Sequence, residues 1–287
     1  MKLIFWGTRG SIAKPGKGTI KYGGNTPALE ITSGSGNKLY LDAGTGIHAL
    51  GNKIIKNNSP REINILITHS HWDHIQGLPF FKPMYSKNFK INIYVSPNNS
   101  FNPEDIINRQ FTSQFFPVDK DVLQAEIEII KLNESMNFQI NDFQIETVPV
   151  HHSKNTLGFK IQNDNKKLAY LTDNEIFYEG ELPRLNDIEE KNKDLINFTK
   201  GVDLLVHDCM FAFNDYAQKI GWGHSNNLSA VLFARAASVK KLLLFHFNPE
   251  YNDNRLDEIC ADTRNFVKEN SIDVDFELAI EENSYDI

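Results

Sequence analysis

Thr68-His69-Ser70-His71-Trp72-Asp73-His74 follows directly on the apolar, β-branched run Ile63-Asn64-Ile65-Leu66-Ile67. A short run of that kind bounded by turn residues reads as a buried strand. Four metal-capable side chains therefore stand within six residues of a strand end. Around a helix, His69 and His71 would diverge; on an extended strand end or a tight loop they can converge on one ion. Asp73 and His74 then turn towards a neighbouring position. Neutral imidazole and carboxylate suit Zn²⁺, and also Mn²⁺ or Fe²⁺, and two such sets leave coordination positions open to water.

Further ligand types stand where later strands are expected to end. His151-His152 follows Thr147-Val148-Pro149-Val150, Asp173 follows Leu168-Ala169-Tyr170-Leu171-Thr172, and His246 follows Leu242-Leu243-Leu244-Phe245. Singly, each would serve as readily to cap a turn; behind the first motif, together they describe a binuclear centre. Strands are expected over 2–6, 28–32, 38–41, 63–67, 91–95, 126–131, 143–148, 157–162, 168–171, 203–207 and 241–245. Helical spacing marks 45–55, 225–237 and 255–270, and Asn102-Pro103-Glu104 reads as the start of a helix running towards Phe115. Residues 179–200 are helical in pattern. Hairpins and strand–helix units in two successive halves predict an α/β, four-layer αββα sandwich. No repeat, linker or low-complexity block interrupts residues 1–287, which are read as one domain.

Composition bounds the function classes. With 287 residues, 40% hydrophobic and 23% charged, the chain has globular composition and length for a sizeable core. Its apolar runs are too short for a membrane span, and Gly7 interrupts the N-terminal run before a signal-peptide core can form. Cys209 and Cys260 lack a close cysteine partner, so neither a disulfide framework nor a zinc ribbon is expected. They read as inert packing, and the chain as cytoplasmic and without a membrane partner. The net charge of −7 resides in the C-terminal stretch: residues 250–287 hold 12 acidic and 3 basic side chains, while residues 1–249 hold 27 basic and 25 acidic ones. That acidity weighs against a polynucleotide partner without excluding a small anionic substrate.

The order His-x-His-x-Asp-His, His, Asp, His resembles the metallo-β-lactamase fold superfamily along nearly the whole chain. Gly7-Thr8-Arg9-Gly10-Ser11, Tyr22-Gly23-Gly24-Asn25-Thr26, Leu41-Asp42-Ala43-Gly44-Thr45-Gly46 and Gly221-Trp222-Gly223-His224-Ser225 are similar to its phosphodiesterase-like branch, which includes tRNase Z and class II-like cyclic-nucleotide and cyclic-phosphate phosphodiesterases. The resemblance implies His69, His71 and His152 at a first metal, Asp73, His74 and His246 at a second, and Asp173 bridging them. His152 is preferred to His151 because the family's ligand precedes a Leu-Gly-aromatic triplet, here Leu157-Gly158-Phe159. A true dinuclear β-lactamase would carry Cys at the position of Asp173, and oxygen-reducing di-iron relatives Glu at that of His71.

The same resemblance implies that His224 contacts the scissile phosphate, with Asp208 orienting it, and that Asp73 relays a proton. Asp42 is expected to orient the His69–His74 loop. Arg9 and Asn25 would either touch substrate phosphate or fix their loops, and Trp72, Phe80 and Phe81 read as core packing ahead of a cleft wall. The expected function is a binuclear metal-dependent hydrolase, a phosphodiesterase that opens a small cyclic nucleotide or cyclic phosphate by attack of a metal-bridged hydroxide. A tRNase Z-like endoribonuclease is the alternative, and a thioesterase or a non-catalytic metal-binding scaffold stands behind both. No Gly/Pro-rich or basic arm for gripping tRNA is found. Residues 96–116 and 175–200 are expected as walls or lids, and a homodimer through exposed apolar residues there is compatible with the sequence.

Overall fold

The first six strands, β1 (Lys2–Gly7), β2 (Ala28–Thr32), β3 (Lys38–Leu41), β4 (Glu62–Ile67), β5 (Lys90–Val95) and β6 (Glu126–Lys131), build one sheet. The next seven build another: β7 (Asn137–Ile140), β8 (Phe143–Pro149), β9 (Leu157–Asn163), β10 (Lys166–Leu171), β11 (Leu204–Asp208), β12 (Lys241–Phe245) and β13 (Asp275–Leu278). The last strand, β14 (Ser284–Asp286), returns to the first sheet and pairs with β1. The computed structural model describes residues 1–97, 102–114 and 116–287.

The sheets lie face to face because each turns an apolar face to the other, and central strands such as β4 and β12 are apolar on both faces, as strands covered on both sides are. Leu29 and Ile31 of β2, Leu66 of β4, Phe159 and Ile161 of β9, and Leu243 and Phe245 of β12 share the central core, where the Phe5 and Phe245 rings meet at 5.4 Å. The outer face of the first sheet, with Ile63, Ile65 and Ile67, packs on helix α1 (Ile47–Asn57) through Ile47, Leu50 and Ile54. Leu205, Leu242 and Leu244 on the outer face of the second share a core with four more helices. This is the αββα sandwich the pattern predicts.

Pairing directions then decide where a site can form. In the first sheet β1, β3, β4, β5 and β6 run one way; in the second, β8, β10, β11, β12 and β13 do. Loops at the carboxyl ends of such strands are where ligand sites gather. The loops after β3, β4, β8, β10 and β12 carry Asp42, His69–His74, His152, Asp173 and His246, and Asp208 is the last residue of β11.

Helices depart from expectation in two places. The segment from Asn102 holds a helix only over Asp105–Asn108; the chain turns at 109–110 and again at 113–114, while Ile106, Ile107 and Phe111 anchor it in the outer core. Residues 98–101 and 115, part of that expected helix and wall, lie outside the described residues. The 179–200 segment is two short helices, Leu185–Lys191 and Lys193–Thr199, broken at Asn192. Ile188, Leu195 and Ile196 bury this segment in the core under the second sheet. Among the described residues no helix is long and apolar enough to cross a membrane.

Candidate metal centre

Three carboxyl-end residues leave their strands in a left-handed backbone conformation that side-chain-bearing residues seldom adopt: Asp42 (φ 58°), Asp173 (φ 50°) and His246 (φ 63°). Asp and His tolerate this region better than branched residues, and the cost is of order 1–2 kcal/mol each. Such strain gathers where geometry is set by a site rather than by the fold. All three side chains turn into one buried cluster.

Asp173 divides that cluster in two. Its Oδ1 lies 3.8 Å from His69 Nε2 and 3.7 Å from His152 Nε2, and His152 Nε2 is 3.1 Å from His71 Nδ1. Its Oδ2 lies 3.1 Å from His74 Nε2 and 3.3 Å from His246 Nε2, and Asp73 Oδ2 sits 3.5 Å and 3.2 Å from the same two nitrogens. The donor atoms of His69, His71, His152 and Asp173 all fall within 4.8 Å of one another, as do those of Asp73, His74 and His246. Adjacent nitrogens in a tetrahedral zinc site stand about 3.3 Å apart, given bonds of about 2.05 Å. The spacing matches.

The outer hydrogen bonds set the tautomers. His74 Nδ1–H donates to Asp42 Oδ2 (2.9 Å), His152 Nδ1–H to the Gly223 carbonyl (3.0 Å), and His69 Nδ1 meets Thr68 Oγ1 (3.1 Å), whose own hydroxyl donates to Asp42 Oδ1. With Nδ1 engaged, each ring when neutral presents its Nε2 lone pair inward, the arrangement of ligating histidines. His69 Nε2 is buried with no hydrogen-bond partner. An orphaned acceptor in a dry site is costly unless a cation takes it, and with the second ligand set spaced as closely as the first the residues present fit two divalent ions.

His224 stands beside this cluster, its ring stacked on His246 at 5.3 Å and tilted against His152 at 4.9 Å. Its Nδ1–H donates to Asp208 Oδ2 at 2.7 Å; Asp208 Oδ1 accepts the backbone N–H groups of Ser225 and Met210, and its Oδ2 lies 3.5 Å from His246 Nδ1. Gly223 precedes His224 at φ 78°, and a Cβ there would collide with the His152 ring. The loop is thereby pressed against the first ligand set.

Electrostatics separate the two halves. Burial lowers His69, His71 and His152 below the ordinary imidazole range, so these rings are neutral at neutral pH. Burial would lower His74 and His246 too, but facing carboxylates prevail. His74 is raised well above its usual value by Asp173, Asp73 and Asp42, and His246 is pushed up to about 10 by Asp173, Asp208 and Asp73. Despite burial, nearby histidines hold Asp73 and Asp173 far below the carboxylate range.

The first set is thus ready for an ion, whereas His74 and His246 must first give up protons. Titrating the metal-free protein with Zn²⁺ at pH 7 is expected to release about two protons, chiefly with the second equivalent. Affinity for that equivalent should fall more steeply as pH is lowered from 8 to 6. Calorimetry in buffers of different ionisation heat checks both, and equal proton release by the two equivalents would contradict the assignment.

Other residues singled out in the sequence find different places. Arg9 is fully buried and donates to the carbonyls of Gly23 (2.8 Å) and Tyr251 (2.6 Å), so it fixes loops. Asn25 bonds Glu281 and Thr45 and does the same. The acidic terminus contributes here: Glu281 accepts the N–H groups of Gly24 and Asn25, and Asp253 that of Lys21. His151 turns from the cluster, its Nδ1–H donating to the Glu175 carbonyl. Phe81 is core, but Trp72 (59% exposed) and Phe80 (56%) are not, which corrects the packing expectation for both.

Glu175 was missed. Its buried carboxylate accepts the N–H groups of Gly221 (2.7 Å) and Gly223 (2.8 Å) and the Tyr216 hydroxyl (2.9 Å), pinning the loop that carries His224. Tyr170, whose hydroxyl donates to Asp42 Oδ2, was missed as well. Glu175 lies two residues after Asp173, yet nothing in its neighbourhood in the sequence names the distant loop it binds.

A family model described as "Beta-lactamase superfamily domain" matches residues 37–247. Ribonuclease Z of Oceanobacillus iheyensis is 26% identical to this chain, over 92% of it and 94% of that protein. Among solved structures, the metallo-beta-lactamase fold protein YhfI from Bacillus subtilis superposes with a TM-score of 0.67 at 17% identity, covering 99% of each chain. A diphosphatase from the PhnP family superposes with a TM-score of 0.66 at 15% identity, covering all of this chain and 97% of the other. At these identities the structural likenesses speak for the fold alone.

Proposed function

The chain belongs to the beta-lactamase superfamily, and from that premise and the geometry of its centre we propose that it is a binuclear metal-dependent phosphodiesterase acting on a small cyclic nucleotide or cyclic phosphate. The observation that carries this reading is Asp173, one carboxylate oxygen turned to each of two ligand sets, with His224 facing them from the side.

His69, His71 and His152 would hold one ion, and Asp73, His74 and His246 the other, with Asp173 between them. We take the ions to be Zn²⁺ from the histidine-rich donor set. Two such ions supply Lewis-acid charge for a phosphoryl group and water acidified towards neutrality. The remaining work falls to the chain. His224, kept protonated by Asp208, neutralises charge on the phosphoryl oxygens and gives a proton to the leaving oxygen. Asp73, whose Oδ2 is held by the Ser11 N–H at 2.7 Å, relays the proton taken from water. Ligands from both sheets converge on the site, which supports reading residues 1–287 as one domain. The free thiols Cys209 and Cys260 support a cytoplasmic setting.

A ribonuclease Z activity is the second reading, favoured by full-length similarity to a protein of that name. Against it, the 179–200 segment lies packed on the core rather than standing off as an arm. The metal-loaded protein assayed on cyclic nucleotides, linear dinucleotides, precursor tRNA and a thioester, with metal content measured, separates the readings. Turnover of a cyclic phosphodiester is expected to exceed that of the others. Cleavage of precursor tRNA alone would transfer the assignment, and turnover unchanged after complete metal removal would sink both.

A further inference from the structure

We propose that the cavity beside His152 is a nucleobase subsite, which makes the small substrate a nucleotide; this rests on the phosphodiesterase reading of the adjoining centre. The cavity, of about 560 Å³, is bounded on the metal side by His152 and Gly223 and elsewhere by His151, Lys154, Glu175 and Phe177. That volume lies in the range of small-ligand sites.

Its aromatic wall is built for stacking. Ile176 is buried in the core and Tyr178 packs against it, while Phe177 between them is turned outward and 42% exposed. One face of the Phe177 ring is covered by His151, at 4.3 Å between centroids and 25° between planes. Both rings are held from behind. Asn192, 2% exposed, accepts the Phe177 N–H (3.0 Å) and donates to the Phe177 carbonyl (2.8 Å). His151 donates from Nδ1 to the Glu175 carbonyl, and its backbone N–H donates to Asn174 Oδ1 (3.0 Å).

The fold gains little from this outward phenylalanine, yet two buried polar side chains fix the pair. The cavity lined by Phe177 and His151 is lined as well by His152, a ligand of the first set, so a phosphate at the ions and a base on Phe177 suit one nucleotide. A preorganised ring costs little entropy on binding and stacks on any base.

Calorimetry on the zinc-loaded full chain with adenosine 5′-monophosphate and ribose 5-phosphate tests this without requiring turnover. The nucleotide is expected to bind roughly 5- to 150-fold tighter than the base-free ester. Phe177→Ala should bring the nucleotide down to the level of ribose 5-phosphate, and Phe177→Tyr should restore the difference. Equal affinities in the wild type, or a preference that survives Phe177→Ala, would overturn the subsite. A preference lost in Phe177→Ala, in a protein that hydrolyses no phosphodiester, would uphold the subsite and reject the catalytic reading instead.

Discussion

Replacing Asp173 with asparagine is expected to reduce bound metal from two ions per chain to one or none and to cut phosphodiester turnover by at least about 10³-fold. Asparagine is the sharper probe than alanine. Position 173 sits at φ 50°, a region Asn enters readily, so the backbone is spared. What changes is chemistry: one oxygen becomes an NH₂ group, which cannot ligate, and the charge that holds two ligand sets together is gone. Oδ1 faces His69 and His152 while Oδ2 faces His74 and His246, so no single-site substitution should equal this loss. His71→Ala, by comparison, is expected to empty the first set while sparing the second. Metal analysis alongside circular dichroism separates ligand loss from unfolding. A folded Asp173→Asn protein with two ions and near-normal turnover would refute the bridging role.

That Asp173 can be singled out from sequence at all depends on its setting. Four of the metal-capable residues are local to one strand end, and the others follow apolar runs whose strand character is plain. β2, β3, β6 and β12 have the expected bounds: β12 is a nearly unbroken apolar run covered on both faces, β2 and β3 are mostly apolar, and β6 shows its isoleucines in period-two alternation with charged residues. The strands not anticipated, β7, β13 and β14, are short and lie at or near sheet edges, with polar residues alternating. The C-terminal stretch, read for its acidity and the helix over 255–270, also supplies two of these strands and the Glu281 and Asp253 carboxylates that clasp the Arg9 and Asn25 loops. Glu175 and Tyr170 show the harder limit. Each acts through a partner remote in sequence, and a buried hydrogen bond between distant residues has no periodicity to betray it. Trp72 was misjudged for a related reason, since an aromatic side chain at a loop is apolar whether it faces the core or the mouth of a site.

His224→Ala is expected to keep both metals and lower kcat by about 10²- to 10³-fold, with KM little changed, as loss of one transition-state donor does. The pH profile carries the stronger evidence. Burial would depress the His224 imidazolium, but the Asp208 carboxylate at 2.7 Å raises its pKa above the ordinary 6.5. A group needed in its protonated form is fully present below that raised value, so activity should fall as pH climbs through it. On the acid side the limit is different, because protons compete for the ligand histidines. In Asp208→Asn, burial is opposed only by the weaker pull of Asp173, and the alkaline limb should move to lower pH while the acid limb, set by metal loading, moves less. A structural role for Asp208 would lower activity at every pH without displacing either limb. An unmoved alkaline limb in Asp208→Asn, with metals retained, would therefore remove His224 from proton transfer and leave it as a loop residue stacked on His246.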